Sequence, residues 1–165
     1  MKRKAVLALI ALLCATLTLG ACMKDTDNSQ VHSDVHHAEN GDVQENTASL
    51  TELPKFLDGL SPVIQTAYSV AASVSEVLPY IPCYCGCGES AGHKSNLNCF
   101  INKINDDGSV VWDDHGTRCG VCMETAITTA EMKKAGKSLS EIRIAIDNMY
   151  KEGYATPTKT PLPKV

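Results

Sequence analysis

The sequence predicts a small, mainly α-helical domain with one short β-hairpin and cysteine-rich loops, preceded by a disordered tether. Apolar residues recur at three- and four-residue steps over residues 62–78, which is typical of an amphipathic helix. An Asn-Asp-Asp-Gly run at residues 105–108 separates two short β-prone segments and indicates a hairpin turn. Residues 22–49 have hardly any large apolar side chain, and such a segment cannot bury enough surface to order itself.

The predicted helices have their own start and stop signals. Ser61 favours a helix start as N-cap, with Pro62 at the first helical position, and Pro79 ends that helix. Ser138 and Glu141 fit a capping box for the last helix. The expected helices cover residues 53–60, 62–78, 119–135 and 139–150, and the expected strands cover residues 100–104 and 109–112.

The first 21 residues have the three parts of a secretory signal peptide. Three basic residues at positions 2–4 precede the apolar residues 5–19, a run shorter than the roughly 20 residues that span a membrane. The next residues, Leu-Gly-Ala-Cys at positions 19–22, resemble the lipobox of bacterial lipoproteins, in which the cysteine receives a diacylglyceryl group before cleavage. We therefore expect lipid attachment at Cys22 and anchoring on the extracytoplasmic side of the cell membrane. The alternative is an uncleaved anchor helix with an incidental cysteine.

The length and charge of the mature chain limit its organisation and its partners. Residues 22–165 suffice for one domain with its own core. We expect a tether over residues 22–49, a cysteine-rich domain over residues 50–155 and a loose, proline-rich tail over residues 156–165. The chain has 15 basic and 19 acidic residues, and loss of the signal peptide leaves a formal charge of about −7. That charge disfavours nucleic acid as a partner.

Six cysteines remain after the lipid-bearing one: Cys83, Cys85, Cys87, Cys99, Cys119 and Cys122. The first three form a Cys-x-Cys-x-Cys string with interleaved glycines. A disulfide between cysteines two apart is strained, because a bridge needs Cα atoms roughly 4.4–6.8 Å apart with specific torsions. Thiolates that converge on a metal ion explain this string more easily. Cys119 and Cys122 lie at the start of a helix, where both sulfurs share one face and the helix N-terminus favours the thiolate.

The residue types favour a soft metal, Cu(I) or Zn(II), as the ligand of these cysteines. His93 and His115 precede the later cysteines and are placed to add imidazole ligands, while a hydrogen-bonding role is the alternative for each. Six sulfurs exceed one tetrahedral zinc site, so two sites or a polynuclear Cu(I) cluster are predicted. We expect all six sulfurs to lie within about 10 Å of one another.

Two other uses of the cysteines remain open. A structural disulfide framework suits an oxidising compartment, and a redox-active Cys119–Cys122 pair suits a helix start. Haem attachment is disfavoured because Met123, not histidine, follows Cys122. No Ser/His/Asp or paired-carboxylate pattern stands out in the sequence, so thiol–disulfide exchange is the only enzymatic activity considered. The histidines at positions 32, 36 and 37 are expected to be solvated linker residues.

Three stretches carry a resemblance to a known family. Residues 80–88 (Tyr-Ile-Pro-Cys-Tyr-Cys-Gly-Cys-Gly), together with residues 92–100 and 115–122, are similar to the PCYCGC-motif family, lipoproteins found mostly in Gram-positive bacteria. The resemblance covers residues 53–154. It implies extracytoplasmic placement and the extent of the domain, but no mechanism, because the function of the family is not established.

The resulting functional expectation is a membrane-anchored lipoprotein that binds a soft metal for capture, buffering or delivery. Its partners would be the membrane, through the lipid, and a metal-handling or envelope protein. The alternatives are a non-catalytic, disulfide-stapled lipoprotein that docks a partner, and a thiol–disulfide exchange protein.

The lipid anchor predicts the outcome of a single substitution. Cys22→Ala should abolish incorporation of labelled palmitate and release or mislocalise the protein, because no thiol remains for the lipid. Cys14→Ala, within the discarded segment, is the matched control and should leave labelling intact. A Cys22→Ala protein that stays membrane-bound and uncleaved like wild type would favour the anchor helix.

Overall fold

The computed structural model describes residues 35–163. Their central element is a four-stranded antiparallel sheet with the strand order β1-β2-β4-β3. The strands are β1 (Val35–His37), β2 (Val43–Thr47), β3 (Ile101–Ile104) and β4 (Val110–Asp113). β2 lies between β1 and β4, with Glu45 opposite Trp112 and Thr47 opposite Val110.

The α-helices of the described residues are α1 (Pro62–Ser73), α2 (Cys87–Ser90), α3 (Gly120–Lys134) and α4 (Leu139–Met149). Short 3-10 turns connect them to the sheet, at Lys55–Leu57, Leu78–Tyr80, Asn96–Cys99 and Asp114–Arg118.

The hairpin and the capped helices agree with the sequence predictions. The hairpin is formed by β3 and β4, within one residue of the expected bounds. The side chain of Ser61 accepts a hydrogen bond from the backbone N–H of Val63, and Ser138 forms the expected capping box with Glu141. α1 ends at Ser73, five residues before its expected end, because the chain turns through residues 74–77. The segment at residues 53–60 contains only a 3-10 turn.

The predicted fold class is wrong. The described part of the chain is mixed α and β with a four-stranded sheet, not mainly helical with a single hairpin. The two additional strands lie at residues 35–47, which the composition assigned to the disordered tether. The sequence of β2, Val-Gln-Glu-Asn-Thr, has no apolar alternation that would predict a strand.

Non-local hydrogen bonds explain how so polar a strand is buried. The carboxylate of Glu45 accepts from the backbone N–H of Phe56 at 3.0 Å. The side-chain amide of Gln44 donates to Asp113 at 2.8 Å. The Thr47 hydroxyl accepts from the indole N–H of Trp112 at 2.7 Å. Buried polar groups are tolerated when they are paired, and here most of the partners lie far away in sequence.

Tyr68 joins α1 to the sheet. Its ring is fully buried and lies edge-on against Phe100, with centroids 5.1 Å apart, and near Trp112 at 6.2 Å. Its hydroxyl donates to the backbone carbonyl of Asp113 at 2.7 Å. Aromatic pairs of this kind contribute beyond the area that they bury, so this contact fixes α1 over the end of β4.

The segment after α4 is held to the domain, contrary to the expected loose tail. The N–H of Thr158 donates to the carbonyl of Cys83 at 3.1 Å, and the Thr160 hydroxyl donates to the carbonyl of Tyr80 at 3.2 Å. Within residues 35–163, no helix is long and apolar enough to cross a bilayer. The signal peptide, Cys22, His32 and the tether up to residue 34 lie outside the described residues.

The close packing around Gly116 predicts a stability change. A Cβ atom at Gly116 would lie 2.7 Å from the carbonyl oxygen of Cys99 and 2.7 Å from the Phe100 ring. Gly116→Ala should therefore lower the free energy of unfolding by about 1–3 kcal/mol, as overpacking does. Gly120→Ala is the control, since nothing lies within 4 Å of that position, and it should be neutral or stabilise α3 by up to about 1 kcal/mol. Urea unfolding followed by circular dichroism measures both, and equal values for the two variants would contradict the packing argument.

Candidate metal centre

Three chain segments bring the six cysteines together. The sulfur cluster consists of the Sγ atoms of Cys83, Cys85, Cys87, Cys99, Cys119 and Cys122, all of them free thiols. The first three lie on the loop after the Leu78–Tyr80 turn, Cys99 ends the Asn96–Cys99 turn, and the last two lie at the start of α3.

The loop is shaped by a left-handed glycine. Gly86 has a φ of 85°, a conformation that L side chains rarely adopt. It turns the chain into α2, so that the backbone N–H of Cys87 donates to the Cys85 sulfur at 3.4 Å. Gly86 thereby allows the sulfurs of Cys85 and Cys87 to lie close to each other.

The start of α3 presents its two cysteines on one side. Cys119 is the N-cap residue, and its sulfur accepts a hydrogen bond from the backbone N–H of Cys122 at 3.4 Å. Cys122 lies in the first turn and is buried. The backbone of the first helical turn thus holds the Cys119 sulfur close to Cys122.

Asn96 connects the three segments by hydrogen bonds. Its backbone N–H donates to the carbonyl of Ile81 at 2.8 Å, just before the cysteine string. Its side-chain amide donates to the carbonyl of Cys122 at 3.3 Å. The residue is only 1 % exposed, so water does not compete for these hydrogen bonds. They hold the loop, the Asn96–Cys99 turn and α3 in fixed relative positions.

Cys83 is the centre of the sulfur cluster. Its sulfur lies 3.0 Å from that of Cys85, 3.8 Å from that of Cys99 and 3.8 Å from that of Cys122. Two groups that contain cysteines have ligand atoms that all lie within 4.8 Å of one another: Cys83, Cys85 and Cys122 form the first, and Cys85, Cys87 and His115 form the second. Cys85 belongs to both.

The sulfur cluster has a buried half and an accessible half. Cys83, Cys99 and Cys122 are each at most 1 % exposed, whereas Cys85, Cys87 and Cys119 are half-buried. The accessible three line a cavity of about 560 Å³. An ion in solution therefore meets these three sulfurs first.

Contacts among the sulfurs divide the protons unevenly. Hydrogen bonds from Cys119, Cys122 and Cys83 hold the pKa of Cys85 well below that of an ordinary thiol. Cys122 and Cys83 likewise lower the pKa of Cys99. The hydrogen bond to Cys85, aided by the charge of Asp42, raises the pKa of His115 to about 9. The lowered pKa values of Cys85 and Cys99 favour the thiolate, which is the form of cysteine that binds a metal ion.

The distances fit a metal ion with sulfur ligands. A tetrahedral ion with bonds of about 2.3 Å to sulfur has neighbouring sulfurs about 3.8 Å apart. The distances from Cys83 to Cys99 and to Cys122 have this value, while Cys83 and Cys85 would need to separate by about 0.8 Å. The geometry of the sulfur cluster can therefore hold a metal ion.

Comparison with known families agrees with the motif. The family described as "protein of unknown function with PCYCGC motif" matches residues 9–163, nearly the whole chain. The chain belongs to the PCYCGC family. No curated protein and no solved structure matches it significantly. Membership of the PCYCGC family thus confirms the resemblance, while the function has to be argued from the geometry.

The two predicted histidines have different surroundings in this PCYCGC protein. His115 lies with Cys85 and Cys87, as the sequence predicted for an imidazole near the sulfurs. His93 contacts the Cys99 sulfur through Nδ1 at 3.5 Å. Its nearest group of potential metal ligands, however, consists of Asp42 and His115.

Sequence reasoning missed three residues around the cluster: Asp42, Asn96 and Thr158. Asp42 is 2 % exposed, and its Oδ2 lies 3.2 Å from Nδ1 of His115. It was assigned to the tether because of the polar composition of residues 22–49, although Asn40-Gly41, with a φ of 86° at Gly41, is a hairpin turn signal. Thr158 accepts a hydrogen bond from the N–H of Cys83 at 2.9 Å, and no local signal marks so late a residue as part of the site.

The hydroxyl of Thr158 predicts an effect on the cysteine loop. Thr158→Val keeps the shape of the side chain but leaves the N–H of Cys83 without its acceptor, which should cost about 1–3 kcal/mol of stability. The reaction of the thiols with a disulfide reagent should also become faster, because the loop opens more often. Thr156→Val is the control, since Thr156 is exposed. Similar melting temperatures and thiol reaction rates for both variants would show that the tail does not support the loop.

Proposed function

We propose that this PCYCGC protein is a membrane-anchored, extracytoplasmic lipoprotein that binds a soft metal, Cu(I) or Zn(II), for capture, buffering or delivery. One observation carries the metal-binding proposal. Six cysteines from three distant segments meet in one cluster, and the distances from Cys83 to Cys99 and Cys122 match those between sulfurs that share a metal ion.

The two halves of the sulfur cluster support a stepwise capture. An incoming ion would first meet Cys85, Cys87 and Cys119 at the cavity. Transfer to the buried Cys83, Cys99 and Cys122 would then remove it from water. Because bound thiols are deprotonated, binding would release protons to solvent. Release would reverse these steps when a partner supplies competing thiolates at the same cavity.

The type of ligand favours Cu(I) or Zn(II), and the number of sulfurs limits how many ions the cluster can hold. Thiolate ligands select Cu(I) and Zn(II) over harder ions. Two zinc ions would need eight ligands if each is tetrahedral and no ligand is shared. Six sulfurs with Cys85 shared between two groups suit a polynuclear Cu(I) cluster or two zinc ions that share ligands.

The lipid anchor supports a role at the cell surface. Acylation at Cys22 would place the domain outside the membrane, where a metal-handling or envelope protein is the expected partner. Residues 23–34 would separate Cys22 from β1.

Metal binding is tested by removing single ligands from the full-length protein. Wild type purified without reductant should retain a soft metal, and Cys85→Ser and Cys122→Ser should each lower the metal content and the melting temperature. Structural metal contributes on the order of 10 kcal/mol to folding, so a large thermal shift is expected. Elemental analysis, thiol counting and thermal unfolding provide the measurements.

Val110→Ala separates ligand loss from general destabilisation. Val110 is fully buried in β4 and is not a cysteine-cluster ligand. This variant should lose about 2 kcal/mol of stability and keep its metal content. Wild type that binds neither metal and forms three disulfides would contradict the proposal and favour a stapled domain. Disulfide reductase activity without metal binding would favour the exchange protein.

A further inference from the structure

A buried group of nitrogen and oxygen ligands lies beside the sulfur cluster. Asp42, on the β1–β2 hairpin, His93 and His115 have ligand atoms within 4.8 Å of one another. They are 2 %, 7 % and 9 % exposed. The two imidazole rings meet edge-on, with centroids 4.6 Å apart. Three elements therefore bring two imidazoles and one carboxylate together away from water.

His93 has a nitrogen without a partner. Its Nδ1 lies 3.5 Å from the sulfur of Cys99, and an N–H donated there would stabilise the thiolate. In the tautomer that carries its proton on Nδ1, Nε2 has a lone pair. That Nε2 is buried, has no hydrogen-bond partner, and lies 3.9 Å from Oδ2 of Asp42.

Two acceptors that face each other in a buried space need a positive group between them. Without a positive group, the lone pair of His93 Nε2 beside the Asp42 carboxylate is unfavourable, because neither Nε2 nor Oδ2 can donate a hydrogen bond. Arg118 does not fill this role, since its guanidinium pairs with Oδ1 of Asp42 and with Asp114, on the outer side. Asn40 donates to Oδ2 at 2.6 Å, and the remaining lone pair of that oxygen faces Nδ1 of His115 at 3.2 Å and Nε2 of His93 at 3.9 Å.

We propose that Asp42, His93 and His115 form a second metal site, for a divalent ion such as Zn(II), next to the sulfur cluster. Two imidazoles and one carboxylate are ligands that suit divalent zinc, with one position open. A tetrahedral ion with bonds of about 2.05 Å has ligand atoms about 3.3 Å apart. The 3.2 Å between Nδ1 of His115 and Asp42 fits this value, and the 3.9 Å between Nε2 of His93 and Asp42 requires a small closure.

This second site goes beyond the proposed function, but it shares His115 with the sulfur-containing group of Cys85 and Cys87. With Nδ1 of His115 directed at Asp42, Nε2 is the nitrogen left for the group formed with Cys85 and Cys87. The imidazole thus lies between a soft, thiolate-rich site and a harder site of nitrogen and oxygen. Binding an ion through each nitrogen requires the imidazolate, so filling both sites releases the ring N–H proton of His115 to solvent. The sulfur site would prefer Cu(I), whereas carboxylate and imidazole ligands favour a divalent ion.

The test loads the two sites with different metals. Full-length protein is first saturated with Cu(I) without oxygen and then titrated with Co(II). Co(II) at the second site should give visible d–d absorbance without the near-ultraviolet band of a sulfur-to-Co(II) transition. His93→Asn keeps a donor near Cys99 but removes Nε2, and Asp42→Asn removes the carboxylate. Both variants should lose the Co(II) signal and retain the bound Cu(I).

Matched controls exclude non-specific binding. His37→Asn and Asp107→Asn change an exposed histidine and an exposed turn aspartate, and they should bind Co(II) like wild type. Circular dichroism checks that each variant is folded. Anomalous diffraction at the cobalt edge from wild-type crystals, which does not depend on the variants, should place the ion between Asp42 and His93.

The results separate this inference from the proposed function. Cu(I) uptake with no Co(II) binding, or His93→Asn binding Co(II) as wild type does, would overturn the second site alone. So would nuclear magnetic resonance that finds protons on both nitrogens of His93 at saturating Co(II) or Zn(II). Protein that takes up no Cu(I) and shows no sulfur-to-Co(II) band would contradict the sulfur site, while a d–d signal lost in His93→Asn would still support the second one.

Discussion

The contact of three buried sulfur atoms is the constraint on which the structure depends. Cys83, Cys99 and Cys122 come from separate segments, and the Cys83 sulfur lies 3.8 Å from each of the other two. Buried thiolates repel one another and are poorly solvated, so the group is stable only when protons or a metal ion balance its charge. Hydrogen bonds among the sulfurs lower the pKa of Cys99 and raise the pKa of Cys122, which follows from this limit.

The surrounding fold positions these sulfurs mainly through hydrogen bonds between distant residues. Asn96 ties the cysteine loop to α3, and Thr158 pairs with both backbone groups of Cys83. Tyr68 contributes the apolar counterpart, since it packs α1 against the sheet next to the Asp114–Arg118 turn that carries His115. Because these contacts join distant segments, a displacement of any one segment would change the positions of the sulfurs in the cluster.

Local signals allowed α1, α3, α4 and the β3–β4 hairpin to be predicted from the sequence. Ser138 with Glu141, and the turn at residues 105–108, each specify an element within a few residues. β2 could not be predicted in this way, because Gln44, Glu45 and Thr47 are buried only through partners that lie 11 to 69 residues away. Asp42 was missed because the polar composition around it outweighed the turn signal Asn40-Gly41, and with it the group that Asp42 forms with His93 and His115.

Cys85 and His115 have a special position under the proposed function. Half-buried Cys85 belongs to the group with the buried Cys83 and Cys122 and also to the group with half-buried Cys87 and buried His115. A metal ion that moves between cavity and interior can thus keep its bond to Cys85 while its other ligands exchange, which avoids a bare ion in a medium of low dielectric constant. While no ion occupies the second site, Asp42 lies 3.2 Å from Nδ1 of His115, and a carboxylate that accepts the Nδ1 proton fixes the ring and makes the other nitrogen a stronger ligand. The strand hairpin that carries Asp42 is therefore part of the site, because it orients the imidazole that faces the exchanging sulfurs.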